Sequence, residues 1–124
     1  MEVNGREVKF LRTIGATCEI AELCADGDLK NIGNLFTGKI HDRYVNWVKI
    51  ILALNKGYED SEVFRTKGKH EPNPLTEEEV MALPQNIFDQ LVNLASIAYT
   101  GEVPTVEVEP DKSGKKNETS ETSD

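Results

Sequence analysis

The composition of this chain changes abruptly at Gly101, and the change limits how much of the chain can fold. Apolar side chains recur at regular spacings before Gly101, whereas the only aliphatic side chains in residues 102–124 are three valines. So few apolar groups cannot offset the conformational entropy that ordering the segment would cost. We therefore predict two parts, a folded helical domain over residues 1–101 and a disordered acidic tail over residues 102–124.

The net charge argues against polyanionic partners. The chain has 22 acidic residues against 14 lysines and arginines, which gives a formal net charge of -8 at pH 7. The tail holds seven acids and three lysines, so it supplies -4 and the body supplies the other -4. Proteins that bind nucleic acid or anionic membranes present dense Lys/Arg patches, and none is visible here. We predict no nucleic-acid partner and no membrane partner.

The sequence also favours a cytoplasmic protein. There is no run of about eighteen apolar residues, and the start of the chain lacks the basic and apolar regions of a signal peptide. Cys18 and Cys24 would lie about 120° apart around one helix, which is poor geometry for a disulfide. We expect both cysteines to be reduced.

A β-hairpin is predicted at the N-terminus. Asn4-Gly5 separates two short runs within residues 2–10, and this pair tolerates the positive φ angles of a type I′ turn. A two-stranded hairpin is marginally stable by itself. We expect the face with Val8 and Phe10 to pack on helices.

Helical spacing of apolar residues predicts the rest of the body. Thr13 and Asp28 are candidate caps, Thr76 and Glu79 form a candidate capping box, and Gly57 is expected to end the longest helix. Pro84 either begins the last helix or kinks a continuous one. Ile14, Cys18 and Ala21 are expected to face inward on the first helix, with Ile20 or Cys24 as further candidates. The predicted helices cover residues 14–24, 28–38, 39–55, 60–66, a start at 76, and 85–99.

The predicted fold class is therefore mainly α (α+β): an N-terminal β-hairpin packed on a small bundle of about four to five helices. The last helix is unusual, because Asp89 is its only charge. It is either the central helix of the bundle, or part of it forms a partner-binding groove or a homo-oligomer interface. The candidate partner-binding residues are Met81, Leu83, Ile87, Phe88, Leu91 and Leu94.

Candidate catalytic chemistry is sparse. His41 and His70 stand in different segments, no His or Cys pair has zinc-binding spacing, and consecutive acids at a helix start point in different directions. We expect exposed histidines, a Trp47 that anchors the core, no metal, no cofactor and no enzymatic activity.

The order of these features resembles the tail assembly chaperones of long-tailed (siphovirus-like) bacteriophages and prophages. The resemblance is carried by the strand-turn-strand over residues 3–10, the helical segments 50–60 and 74–84, and the acidic tail. It implies a non-enzymatic protein of the host cytoplasm that binds the tape measure protein and keeps it soluble during tail assembly. The resemblance further implies that the chaperone helps to recruit tail tube protein subunits and is absent from the mature virion.

In this family the reading frame often slips near its end, and this programmed frameshift gives a minor longer form. Lys115, Lys116 and Asn117 can be encoded by the slippery sequence A-AAA-AAC, although other codons encode the same residues equally well. If the frame slips there, residues 102–116 become a linker that tethers two partner sites in the longer form.

Two other classes of protein remain as alternatives. One is a structural phage tail or connector subunit. The other is a small helical regulator or antitoxin, which would need a basic recognition helix, yet the helix predicted at 85–99 has Gln90 and Asn93 but no lysine or arginine.

Overall fold

The computed structural model describes residues 1–101, and the predicted acidic tail and frameshift site lie outside the described residues. The described part is mainly helical with an N-terminal hairpin, which confirms the predicted fold class. In this part, no helix is long and apolar enough to cross a membrane. The elements are β1 (Glu2–Val3), β2 (Arg6–Glu7), α1 (Ile14–Leu23), two 3-10 segments (Ala25–Gly27 and Leu29–Phe36), α2 (Ile40–Arg65), α3 (Glu77–Met81) and α4 (Gln85–Thr100).

The N-terminal hairpin forms as predicted. β1 and β2 pair antiparallel, with Val3 opposite Arg6. The turn residues Asn4 and Gly5 have φ angles of 53° and 79°, as a type I′ turn requires. Val3 and Val8 are only 2% and 1% exposed, so the apolar face of the hairpin belongs to the core.

One carboxylate joins the hairpin to α3. Glu79 accepts a hydrogen bond from the backbone N–H of Thr76 at 3.1 Å, and the Thr76 hydroxyl accepts one from the backbone N–H of Glu79, which completes the predicted capping box. Arg6 Nη2 donates to Glu79 Oε2 at 2.7 Å. The bond from Thr76, and then the bond and charge of Arg6, lower the pKa of Glu79.

Replacing this carboxylate should make stability less dependent on pH. We expect Glu79→Gln, which keeps a capping oxygen but loses the charge, to lower the free energy of unfolding by about 1 kcal/mol at neutral pH. Because folding depresses the pKa of Glu79, the stabilisation is complete above the unfolded-state pKa and is lost as pH falls through the folded-state pKa. Urea unfolding at a series of pH values from neutral to acidic measures the free energy of unfolding of each protein.

The difference in stability between wild type and Glu79→Gln should therefore narrow as the medium is acidified. Glu78→Gln is the matched control, since Glu78 lies in the same helical turn and is exposed. A difference that stays constant over the acidic range would contradict the role given to the Glu79 charge.

The capping of α1 is as predicted, but its inward face is not. Thr13 caps the helix by accepting a hydrogen bond from the backbone N–H of Ala16 at 3.1 Å. Ala16 and Ile20 are buried, whereas Ile14 is 86% exposed and Cys18 is exposed. The prediction that Ile14 and Cys18 face inward is wrong, because α1 packs on α2 through the opposite face, with Ala16 close to Gly57.

The central element is α2, a continuous helix of 26 residues. The prediction that Gly57 ends this helix is wrong, as is the prediction of a separate helix at 60–66. Gly57 lies inside α2 because the chain before α1 crosses there: a Cβ at Gly57 would come within 2.5 Å of the Leu11 carbonyl oxygen. Ile51 and Leu54 are fully buried, and α1, α3, α4 and the longer 3-10 segment all contact α2.

The longer 3-10 segment, Leu29–Phe36, replaces the helix predicted for residues 28–38. Asp28 caps it as expected, by accepting a hydrogen bond from the backbone N–H of Lys30 at 3.0 Å. Phe36, at its end, stacks on Trp47 of α2 with ring centroids 4.7 Å apart. Trp47 is thus partly buried and packs against the core from one side.

The last helix begins directly after Pro84, so α3 and α4 are separate helices. Gly101 ends α4 with a φ of 76°, and its N–H donates to the Ile97 carbonyl at 2.9 Å. The buried residues of α4 are Phe88, Leu91 and Ala95, a single stripe that faces inward. The central position in the bundle therefore belongs to α2, and α4 packs beside it.

Candidate functional site

The structure does not bring the six candidate partner-binding residues into one place. Leu91 is fully buried and has no surface to offer a partner. Ile87 is half-buried, and Leu94, 37% exposed, lines a different cleft that faces the hairpin. Met81, Leu83 and Phe88 line one cleft together. The part of the prediction that the structure brings into one place is thus Met81, Leu83 and Phe88.

We call this site the Met81 cleft, and it lies between α2, α3 and the start of α4. Its volume is about 140 Å³. Val48, Val80 and Phe88 are buried beneath it, whereas Met81 is 56% exposed at its rim. The lining residues are Tyr44, Val48, Val80, Met81, Leu83, Gln85 and Phe88.

The predicted candidates leave out four lining residues of this cleft, Tyr44, Val48, Val80 and Gln85, and Tyr44 contributes an exposed aromatic ring. Its ring meets Phe88 edge-on with centroids 5.5 Å apart, and its hydroxyl accepts a hydrogen bond from Gln85 Nε2 at 3.3 Å. Gln85 also donates to Asp89 at 2.9 Å, so the polar side of the cleft is held in place. The helical spacing of Tyr44 indicates a shared face with Trp47, but it does not show that 42% of Tyr44 stays exposed.

The chemistry of the Met81 cleft suits the binding of apolar side chains. Tyr44 and Gln85 supply its polar side chains, and the remaining side chains are aliphatic, aromatic or thioether. Methionine adapts its shape to different apolar partners at low cost, because its side chain is unbranched and polarisable. Such a cleft fits one or two side chains from the apolar face of a helix.

A second polar cluster has a structural role. Glu59 is only 5% exposed, and its Oε1 lies 2.7 Å from His70 Nε2. The same oxygen accepts the backbone N–H of Asn73 at 2.9 Å. The prediction of an exposed His70 is therefore wrong, because this histidine fastens the loop before α3 to α2. His41 is exposed, as predicted.

The acidic, histidine and cysteine side chains do not converge elsewhere in the described part. Among residues 1–101, no three of them come close enough to hold a metal ion. Both cysteines are free, Cys24 being buried and Cys18 exposed. Burial raises the pKa of the Cys24 thiol, with a smaller contribution from the nearby Asp28 carboxylate. A buried thiol with a raised pKa is a poor nucleophile.

Comparison of the chain with protein-family models, with curated proteins and with solved structures gives no match. The geometry of the candidate site consists of an apolar floor, an exposed methionine and an exposed tyrosine at the meeting point of α2, α3 and α4.

Proposed function

We propose that this protein is a tail assembly chaperone of a long-tailed bacteriophage or prophage. It binds the tape measure protein in the host cytoplasm, keeps it soluble during tail assembly, helps to recruit tail tube subunits, and is left out of the mature virion. The layout of the sequence supports this proposal through its resemblance to that family. The observation that carries it is the Met81 cleft, where Met81 and Tyr44 stay exposed above a buried apolar floor.

The physical basis of the proposed activity is mass action. A long helical protein with apolar stripes aggregates through those stripes before its assembly partners cover them. A chaperone that binds one stripe in a groove lowers the concentration of exposed stripe and so slows aggregation. The acidic tail, residues 102–124, adds net charge that keeps the complex soluble.

Placing a charge at the rim of the Met81 cleft tests the proposal. We expect Met81→Lys to lose the ability to keep the co-expressed tape measure protein soluble, because a lysine at the rim would lose water on contact with an apolar stripe. The measurement is the soluble fraction of the co-expressed tape measure protein. Denaturant unfolding should show that the variant remains folded, since Met81 is 56% exposed.

Phe64→Lys is the matched control. Phe64 is 84% exposed and lies near the end of α2, just as Met81 is the last residue of α3. Both variants add one positive charge near a helix C-terminus, so a loss of function confined to Met81→Lys identifies the cleft. Equal solubilisation by both variants would show that the cleft does not bind the partner.

Mass spectrometry of purified phage particles separates this proposal from a structural tail or connector subunit. A chaperone leaves the assembly and should be missing from finished particles, whereas a structural subunit should be present in a fixed ratio to the tube protein. Finding this chain at such a ratio would replace the proposed function with the structural one.

A further inference from the structure

A second cleft opens beside the Met81 cleft and shares Tyr44 with it. It is lined by Phe36, Ile40, Arg43, Tyr44 and Trp47, and its volume is about 210 Å³. We call it the Arg43 cleft. Ile40 is 62% exposed and Tyr44 is 42% exposed. The Arg43 cleft is therefore an apolar and aromatic surface that contains a single cation.

The guanidinium of Arg43 has unused hydrogen-bonding capacity. Its Nε is shielded from solvent and has no hydrogen-bond partner among residues 1–101. The other three arginines each donate at least one hydrogen bond: Arg12 to a carbonyl oxygen, Arg65 to a carboxylate, and Arg6 to Glu79 through Nη2, although Arg6 Nε and Nη1 also lack partners. A guanidinium presents five donors in a rigid fork that matches the two oxygens of a carboxylate. Arg43 is the arginine whose side chain makes no hydrogen bond or ion pair among residues 1–101, so an acidic group that enters the cleft can bind its guanidinium without displacing another contact.

We propose that the Arg43 cleft receives an acidic side chain that lies beside the apolar face of a partner helix. This inference rests on the proposed function and specifies its partner segment. The apolar side chains of that helix enter the Met81 cleft, while a glutamate or aspartate one or two turns away reaches Arg43. Because Tyr44 belongs to both clefts, one helix can contact both, and the ion pair sets its register and direction.

The local positive charge of Arg43, and not the net charge of the protein, favours an acidic side chain as the occupant of the Arg43 cleft. The protein as a whole is acidic, with a formal net charge of -8, so overall electrostatics favours basic ligands. Salt screens that long-range effect beyond about 8 Å, whereas a direct contact with Arg43 beside apolar surface is screened far less. If a partner helix that is otherwise neutral or basic needs an acidic residue at one position to bind, that requirement therefore indicates binding at the Arg43 cleft.

A peptide library gives the direct test, with the full-length protein as the target. Each displayed peptide is an amphipathic helix of about 18 residues with a fixed leucine stripe and Glu, Gln or Lys at the flanking positions. We expect wild type to select Glu at one flanking position and to lose about tenfold in affinity when that Glu is replaced by Gln. Arg43→Glu should select Lys there instead. Lys49→Glu, which reverses an exposed charge on the same helix, should keep the preference for Glu.

Several results would overturn the inference. These are a selection without charge preference at any position, or a Glu preference that persists in Arg43→Glu. Self-association of the protein that Arg43→Glu abolishes would make a second copy the occupant. If peptide binding appears only after Glu107→Gln and Glu109→Gln, the occupant is the acidic tail of the same chain.

The two proposals fail separately. If wild type does not keep the tape measure protein soluble but still selects acidic helices through Arg43, the proposed function is wrong and the inference about the cleft stands. If wild type keeps the tape measure protein soluble and Arg43→Glu leaves the peptide selection unchanged, the inference is wrong and the proposed function stands.

Discussion

Gly57→Ala is expected to destabilise the protein by about 3 kcal/mol, although a glycine-to-alanine change inside a helix ordinarily stabilises it. The added Cβ would lie 2.5 Å from the Leu11 carbonyl oxygen and 2.9 Å from Thr13 Oγ1. Neither atom can retreat cheaply. The Leu11 N–H donates to the Leu54 carbonyl at 3.0 Å, and the Thr13 hydroxyl caps α1. Equilibrium unfolding in urea measures the loss.

Gly15→Ala is the control for this prediction. Gly15 is also helical, but a Cβ there would meet only Thr13 Oγ1 at 3.8 Å, which is an ordinary contact. We expect this variant to be unchanged or more stable by about 0.5 kcal/mol, because alanine restricts the unfolded chain. Equal effects of the two substitutions would show that the close approach of Leu11 to α2 does not govern the choice of glycine at residue 57.

Asn55→Ala should cost a similar amount, about 3 kcal/mol, for a different reason. The Asn55 side chain is 1% exposed and bridges two distant parts of the chain. Its Nδ2 donates to the Lys9 carbonyl at 2.9 Å, and its Oδ1 accepts the backbone N–H of Leu75 at 2.7 Å. Alanine would leave a buried acceptor and a buried donor without partners, together with a small cavity. Urea unfolding again gives the change in free energy.

Asn46→Ala separates this bridging role from the general effect of removing an asparagine from α2. Asn46 Nδ2 makes one hydrogen bond, to the Leu35 carbonyl at 2.9 Å, at a partly buried position. We expect its removal to cost about 1 kcal/mol. If Asn55→Ala proves no more damaging than Asn46→Ala, the two backbone groups at Lys9 and Leu75 must find other partners, and the bridge is not essential.

Asn55 and Glu59 are buried polar side chains that bind the backbone of loops, a role that the sequence pattern does not indicate. They lie one turn apart on α2, and both are buried. Asn55 donates one hydrogen bond to, and accepts one from, the backbone of loops that cross the helix, and Glu59 accepts one from such a loop. A buried backbone group without a partner is costly, so these two side chains allow loops to cross an otherwise apolar face. The predicted helix ends at Asn55 because Gly57 is expected to terminate it. The loop residues that bond to Asn55 are 46 and 20 residues away in the sequence, so local spacing does not predict these bonds.

The candidate site was predictable in its chemistry more than in its geometry. The apolar excess between Met81 and Leu94 indicates that this region has more apolar surface than one helix stripe buries. This apolar excess does not indicate that Leu91 lies in the core while Met81 stays exposed. Tyr44 comes from α2, and its place beside Phe88 depends on how α2 and α4 pack. Arg43 also comes from α2, and it lies in a cleft with Phe36 at the end of the longer 3-10 segment.

The sequence by itself determined the features that depend on neighbouring residues. The Asn4-Gly5 turn, the Thr13 and Asp28 caps, the Thr76 capping box and the end of α4 at Gly101 all follow from local φ preferences and from hydrogen bonds that span a few residues. Only the tertiary structure decided which face of α1 turns inward, why Gly57 does not end α2, and which apolar side chains stay exposed beside Arg43. Those outcomes depend on contacts between distant segments, where shape and close packing choose among positions that a periodic pattern leaves equivalent.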